Sequence, residues 1–255
     1  MTATVALIRR HPIKAIGGED LRETVLHPSR AIEGDRQWAL LHQGGERHAG
    51  DSRHPARWLP KSCFLQGAKS SRLQAIQGGW NDQGRIALTH PDLTGLDFDP
   101  ETEGTRLIDW IRPLWPEGFP IPTRLVRAPA AFADVSQPWL SILSLGTLRD
   151  LEGRLGQPVG TSRWRGNLWV EGWPPRLERD LIGRILQIGQ VELRVAEPIG
   201  RCPATSADTE TGLIDIDMPA ALKRHFGHSD FGIYAQVVTG GTIRPGDRID
   251  IQDQP

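Results

Sequence analysis

The chain has 255 residues, of which 38% are hydrophobic and 24% are charged, and its formal net charge at pH 7 is −1. This composition is typical of a folded protein of one or two domains and excludes a disordered chain. A net charge so close to zero provides no field for holding nucleic acid or an anionic membrane surface. No apolar run approaches the roughly 18 residues of a membrane span, so neither nucleic acid nor a membrane is expected as a partner.

The start of the chain and its two cysteines indicate the cellular compartment in which the protein is expected. Met1 to Lys14 contains basic residues but no following apolar stretch, so no signal peptide is expected. Two cysteines far apart in the sequence, Cys63 and Cys202, do not form a disulfide framework and suit a reducing compartment. The sequence therefore predicts a cytoplasmic protein.

Short strands separated by glycine-rich turns are predicted for the first half of the chain. The β-type segments are Val5–Arg9, Glu23–Leu26, Trp38–Leu41 and Ile86–Thr89. Cys63 lies in an apolar, strand-like stretch and is expected in the core. Residues Glu101–Trp115 predict a short helix that stops at Pro113.

The second half opens with the clearest helix. Ser144 is a plausible N-cap, an apolar stripe runs from Leu145 to Leu155, and Gly156 would end the helix. A hairpin turned at Gly189 and a helix at Met218–Phe226 are also predicted. The further strands expected in this half are Asn167–Glu171, Tyr234–Thr239 and Arg248–Ile251.

Strands dominate this pattern and no βαβ alternation is apparent. The predicted fold is therefore mainly β with a few helices, arranged as two β-barrel-like lobes. The segment between Pro113 and Pro138 is rich in proline and alanine. We place the boundary there, which divides the chain into residues 1–125 and 126–255.

A cysteine in a polar loop is the most unusual feature of the sequence. Cys202 follows Arg201 and precedes Pro203 in EPIGRCPATSADTETG, where burial is a poor explanation for a thiol. A neighbouring arginine favours the thiolate, the form that binds metals and attacks electrophiles. One cysteine cannot hold a structural zinc ion, so any metal here must arrive already complexed by another group.

Cationic side chains stand in turns and at predicted strand ends. Lys14 follows a proline turn, Arg36 stands at a strand entry, and SRWRGNLWV brings Arg163, Arg165 and Asn167 close in sequence. Alternation along an extended chain would point these last three side chains to one face. Such a set could recognise a ligand that carries a phosphate and a hydrogen-bonding heterocycle, although a solvated charged surface explains each residue as well.

Four stretches together resemble the MOSC (molybdenum cofactor sulfurase C-terminal) family with its N-terminal β-barrel domain, similar in plan to the mitochondrial amidoxime-reducing component. HPIKAIGGEDL with IEGDRQWAL resembles the opening motif, and SRWRGNLWV resembles Phe-Arg-Pro-Asn. EPIGRCPATSADTETG resembles the cysteine loop, and FGIYAQVV with GGTIRPGDRI resembles the closing strands. The chain departs from the pattern at His11, Ala15 and Gly166, where tyrosine, serine and proline are usual.

The resemblance implies a Mo-molybdopterin cofactor with Cys202 as its one protein ligand to molybdenum. A soft thiolate suits such a site because the pterin dithiolene supplies the other sulfurs. Cys202 is then also the expected catalytic residue, and pyridoxal phosphate is not expected. The cofactor-binding positions implied are Lys14, Arg36, Ser144, Thr147, Arg163, Arg165, Asn167, Arg201 and Thr205.

The function that the resemblance implies is a molybdenum-dependent oxidoreductase that reduces small N-hydroxylated substrates. Two cysteines cannot hold a four-cysteine iron–sulfur cluster. Electrons are therefore expected from separate donor proteins of the ferredoxin, cytochrome b5 or flavin reductase type. The alternatives are a protein that carries molybdenum cofactor, a relay of sulfur on Cys202 without turnover, and a domain with no ligand.

Overall fold

The structure is a computed structural model that describes residues 2–252. Its strands are β1 (Ala3–Arg10), β2 (Glu19–Asp20), β3 (Thr24–Leu26), β4 (Trp38–His42), β5 (Gln77–Trp80), β6 (Ile86–His90), β7 (Leu93–Phe98), β8 (Pro122–Arg127), β9 (Leu140–Ser144), β10 (Leu168–Glu171), β11 (Ile185–Ile188), β12 (Val191–Gly200), β13 (Asp230–Thr239), β14 (Gly241–Ile243) and β15 (Arg248–Gln252). The helices are α1 (Glu46–Ala49), α2 (Gly104–Ile111), α3 (Leu145–Leu155) and α4 (Met218–Phe226). The predicted fold class, mainly β with a few helices, is confirmed.

Seven strands close into a barrel that is formed mostly by the second half of the chain. Their order is β10-β9-β13-β12-β11-β15-β1, and β1 pairs with β10 to close the ring. Closure removes the exposed sheet edges on which other chains could pair. Alternate inward side chains, such as Val191, Leu193 and Val195 on β12, fill the interior. The first strand of the chain is thus part of this barrel.

The rest of the first half forms smaller sheets around a separate core. Strands β5, β6 and β7 make a three-stranded antiparallel sheet, and β4 pairs with β8. The amphipathic helix α2 lays Leu107, Ile108 and Ile111 against this core. β8 crosses the predicted boundary at residue 125, and the division into two domains there stays a prediction.

Several local predictions need correction. β9, α3 and β10 form a βαβ unit, since β9 and β10 pair in parallel, so the expected absence of such a unit was wrong. The strand β9 escaped notice because it is only five residues long and follows a proline-rich stretch. Cys63 lies in a short 3₁₀ turn instead of a strand, although its predicted burial is correct. The predicted helix at Glu101–Trp115 shrinks to α2, because a 3₁₀ turn that contains Pro113 follows it.

The predicted bounds of α3 and α4 are confirmed. Ser144 caps α3 through a hydrogen bond from the Thr147 amide, and the left-handed Gly156 ends it. Within residues 2–252, no helix combines the length and the apolar character that crossing a bilayer requires.

Candidate functional site

A cavity of about 330 Å³ is lined by residues from both halves of the chain. We call it the central cavity. The loop after β12, the turn before β10 and the turns that follow β1 and precede β4 all contribute to its wall. Eight of the ten predicted site residues line it: Lys14, Arg36, Arg163, Arg165, Asn167, Arg201, Cys202 and Thr205.

Cys202 stands in an exposed loop of fixed geometry. It has an extended backbone immediately before a 3₁₀ turn, Pro203–Ser206. Its carbonyl accepts hydrogen bonds from the amide (3.1 Å) and the hydroxyl (2.9 Å) of Thr205. The thiol is therefore presented at the cavity by a held loop, in contrast to Cys63, whose thiol is buried and has its pKa raised by that burial.

Arg163 secures this loop from behind. The side chain is 2% exposed, and its guanidinium forms a bidentate pair with Asp215 in which both distances are 2.8 Å. It also donates to the carbonyl of Thr205 at 3.2 Å. Because its donors are engaged by the protein, Arg163 positions the cysteine loop and has little capacity left for a ligand.

Three residues with side chains line the central cavity in the left-handed backbone region. These are Ala15 (φ 64°), Arg36 (φ 49°) and Arg165 (φ 51°). Such a conformation is uncommon in residues other than glycine, and strained residues cluster at binding and catalytic sites. The predicted strand alternation along residues 163, 165 and 167 is wrong, because a 3₁₀ turn covers Ser162–Trp164.

Arg36 and Arg165 are coupled across the two halves of the chain. The Arg36 guanidinium pairs with the buried carboxylate of Asp35 and donates to the Arg165 carbonyl at 2.8 Å. Burial alone would lower the pKa of Arg36, but the Asp35 carboxylate outweighs it and raises that pKa above its ordinary value. Arg36 therefore stays protonated at the cavity wall, paired with the Asp35 carboxylate.

Arg165 is a partly buried cation whose hydrogen bonds run to neutral groups. Its guanidinium donates to the carbonyls of Gly17 (2.6 Å), Ile13 (3.1 Å) and Ile16 (3.4 Å). Burial, and then the charge of Arg36, lower the pKa of Arg165 to about 9. A buried charge without a carboxylate partner is costly, so an anionic ligand here would relieve the repulsion between the two guanidinium groups.

Arg201 follows the same pattern beside the thiol. Its guanidinium donates to the carbonyls of Phe231 and Trp164 and lies over the Trp164 ring, with 5.6 Å between the guanidinium carbon and the ring centroid. Burial lowers the pKa of Arg201 to about 10, while Tyr234 and Cys202 act in the opposite direction. Arg201 and Cys202 both line the central cavity.

Lys14 pairs with a loop residue that sequence analysis did not identify. The ammonium group donates to Asp134 at 2.5 Å and to the Phe132 carbonyl at 2.9 Å. Burial lowers the pKa of Lys14, and the charge of Asp134 opposes that shift. Lys14 is buried, whereas the Asp134 side chain is 51% exposed, so the carboxylate sits on the solvent side of the pair.

Ser144 and Thr147, the two remaining predicted site residues, do not line the central cavity. The Ser144 hydroxyl caps α3, and the Thr147 hydroxyl donates to the buried carboxylate of Glu178 at 2.7 Å. Asn167 does line the cavity, but its side chain is engaged by Ser141 and by the Arg9 carbonyl. All three side chains hold the local structure together.

Several cavity residues carried no recognisable sequence signal. They come from loops and strands that no motif marks: Lys61, Gln66, Gln74, Asp134, Trp139 and Ser141. Glu197 and Tyr234 also line the cavity; they stand in the cysteine-loop and closing-strand motifs but were not predicted as site residues. Gln74 is 6% exposed, and its amide nitrogen has no hydrogen-bond partner among the described residues. Only the tertiary fold brings these side chains beside the cysteine loop.

Proteins of similar sequence are known. The family model of the MOSC domain matches residues 132–250. Mitochondrial amidoxime-reducing component 1 of Homo sapiens is 31% identical over an alignment that covers 98% of this chain and 83% of that protein. The chain belongs to the MOSC family. Mitochondrial amidoxime reducing component 2 of Rattus norvegicus is 29% identical over 51% of this MOSC chain and 41% of that protein.

Structural comparison agrees on the fold. The YuaD protein from Bacillus subtilis superposes with a TM-score of 0.51, with 14% identity, and the match covers 100% of this MOSC protein and 98% of that chain. At this identity the likeness shows a shared fold alone.

One of the three departures from the MOSC pattern, Gly166, has a steric explanation. A Cβ at Gly166 would lie 2.3 Å from Cδ1 of the buried Leu143, so the space beside this residue is already filled. His11 is 1% exposed and its Nδ1 lies 3.0 Å from the Gly17 carbonyl. Ala15 lines the cavity without a hydroxyl.

Proposed function

We propose that this protein binds a molybdenum cofactor in the central cavity and reduces small N-hydroxylated compounds with electrons from separate donor proteins. The observation that carries the proposal is the juxtaposition of one exposed thiol, Cys202, with a cavity wall of buried and partly buried cations. The names of the relatives, amidoxime-reducing components, support the same reaction class at the level of the family.

The residues present fit such a cofactor. A phosphate group needs cations, and Lys14, Arg36 and Arg165 supply them. A pterin edge needs hydrogen-bonding partners, and the unpartnered amide nitrogen of the buried Gln74 offers a donor. A metal that already carries dithiolene sulfurs needs one more soft ligand, which the exposed Cys202 thiol provides.

The chain's own residues would bind the cofactor, orient it and shield it from solvent. Cys202 would hold the metal, Arg163 would keep the cysteine loop in place, and Arg201 would add positive charge beside the thiolate. When bound, the cofactor supplies two-electron reduction of the N–O bond, chemistry that amino acid side chains do not provide. The protein determines which substrate reaches it and in what orientation.

The electron source must be another protein, since this chain has only two cysteines and Cys63 is buried in the first-half core. An iron–sulfur cluster takes four such ligands. The sequence also lacks the glycine-rich fingerprint of a nicotinamide site.

Activity assays with two electron sources test the proposal. Protein loaded with molybdenum cofactor should reduce an amidoxime with dithionite-reduced viologen and should be inactive with NADH alone. Turnover by pure protein with NADH alone contradicts the need for an external donor. Metal-loaded protein that reduces no N-hydroxylated compound with viologen contradicts the enzymatic role and favours cofactor carriage or sulfur relay.

A further inference from the structure

A row of polar side chains crosses four neighbouring segments of the barrel beside Cys202. Ser141 on β9 pairs in register with Tyr234 on β13, and Tyr234 pairs with Glu197 on β12. Asn167, just before β10, accepts hydrogen bonds from the amide and hydroxyl of Ser141. All four residues line the central cavity, and pairing on both sides of β13 fixes the backbone of Tyr234.

Tyr234, a member of this row, forms an aromatic pair with Trp139. The rings of Trp139 and Tyr234 have centroids 5.9 Å apart and an interplanar angle of 40°. Both side chains are half-buried and line the central cavity with Cys202. Exposed π faces favour contact with other flat, conjugated groups. The cavity therefore combines a cationic part with an aromatic part.

The hydroxyl of Tyr234 makes no hydrogen bond within residues 2–252. Partly buried tyrosine hydroxyls usually find one. Burial, and then the negative charge of Asp134, raise the pKa of Tyr234, so the phenol keeps its proton and remains a donor. Glu197 and Asp134 add carboxylate acceptors to the same lining.

We propose, on the basis of the function proposed above, that Trp139 and Tyr234 form the substrate-binding wall and select flat, conjugated N-hydroxylated compounds over small aliphatic ones. The rings stack against the substrate, and the Tyr234 hydroxyl donates a hydrogen bond to its N–O group. Tyr234 is a positioning residue in this account, and Trp139 sets specificity.

Tyr234 is the only tyrosine in the chain, which makes it a selective probe. Protein labelled with ¹³Cζ-tyrosine and loaded with cofactor, without reductant, should show one tyrosine resonance. Benzamidoxime should shift that resonance saturably, whereas acetamidoxime, which has the same N–O group and no ring, should leave it in place at the same concentration. A resonance that benzamidoxime does not move overturns the proposal.

Steady-state kinetics with viologen separates the two side chains. Tyr234→Phe keeps the ring and should raise the KM for benzamidoxime by about tenfold. This factor is roughly what the loss of one hydrogen bond to a ligand produces. Trp139→Leu should raise the KM for benzamidoxime and leave that for acetamidoxime unchanged. Phe119→Leu, a change at an exposed aromatic residue outside the cavity, is the control.

The outcomes distinguish the two proposals. Equal effects of Trp139→Leu on both compounds, or unchanged kinetics in Tyr234→Phe, overturn the aromatic wall while leaving the reductase proposal intact. A tyrosine resonance that shifts with benzamidoxime in protein that reduces neither compound supports the wall as a binding site and contradicts the reductase.

Discussion

His11 shows how one buried side chain takes its protonation state from its neighbours. Its Nδ1 lies beside the Gly17 carbonyl, and its Nε2 has no partner among the described residues. Burial, and then the charges of Arg165 and Arg36, lower the pKa of His11 well below its ordinary value of 6.5. The imidazole is therefore neutral in the folded protein, with its proton on Nδ1 as a donor to Gly17.

This depressed pKa predicts a loss of stability in mild acid. Below pH 6.5 the unfolded chain protonates His11 while the folded protein does not, so the free energy of unfolding falls as the pH drops, by at most about 1.4 kcal/mol per pH unit. His11→Gln should flatten this dependence between about pH 6.5 and 5, measured by urea denaturation at a series of pH values. His27→Gln, a change at an exposed histidine, should retain it. An unaltered slope in His11→Gln would show that other groups cause the acid sensitivity.

At the scale of elements, the start of α3 carries two side chains whose structural role can be distinguished from a role in binding the cofactor. The family resemblance assigns Ser144 and Thr147 to the cofactor, yet both hydroxyls are engaged at the helix start. Ser144→Ala removes the N-cap and should lower the free energy of unfolding by about 1 kcal/mol. Molybdenum and pterin content should remain at the wild-type level, and Ser136→Ala in an exposed loop should change neither property. Loss of cofactor from a folded Ser144→Ala protein would show that Ser144 contributes to cofactor binding.

Elements with a strong local signal were predictable. The bounds of α3 and α4 follow from their capping residues and terminal glycines, and most predicted strands lie within one or two residues of their observed limits. β2, β5, β7, β8, β9 and β14 were missed, because such short strands derive their stability from partners distant in sequence. The same holds for the βαβ unit, whose parallel pairing only the barrel imposes.

The site residues likewise divide into those that the sequence predicted and those that it did not. Lys14, Arg36, Arg165 and Cys202 stand in turns with recognisable motifs, and the structure brings them together around one cavity. Gln74 and Trp139 lie in no recognised motif. Tyr234 lies in the closing-strand motif, but only barrel closure places it in register with Ser141 and Glu197. The cofactor-binding roles of Arg163 and Asn167 stay predictions. In the structure their side chains are engaged by protein partners that sequence alone does not reveal.

For the molecule as a whole, the position of the central cavity matters most. Arg36 from the first half of the chain bonds the carbonyl of Arg165 from the second, and Arg165 bonds carbonyls in the turn after β1. Charges that repel one another therefore meet where the two halves meet. A bound anionic cofactor would neutralise them, and ligands that bind the folded state stabilise it by mass action.

The most direct test of this account is molybdenum X-ray absorption on Cys202→Ser, with Cys63→Ser as the matched control. Both proteins should be produced in cells that make the cofactor and checked for pterin and metal content. We expect one fewer sulfur scatterer at molybdenum in Cys202→Ser, together with loss of amidoxime reduction, and an unchanged spectrum in Cys63→Ser. A Cys202→Ser protein that keeps both its sulfur count and its activity would contradict the assignment of Cys202 as the metal ligand.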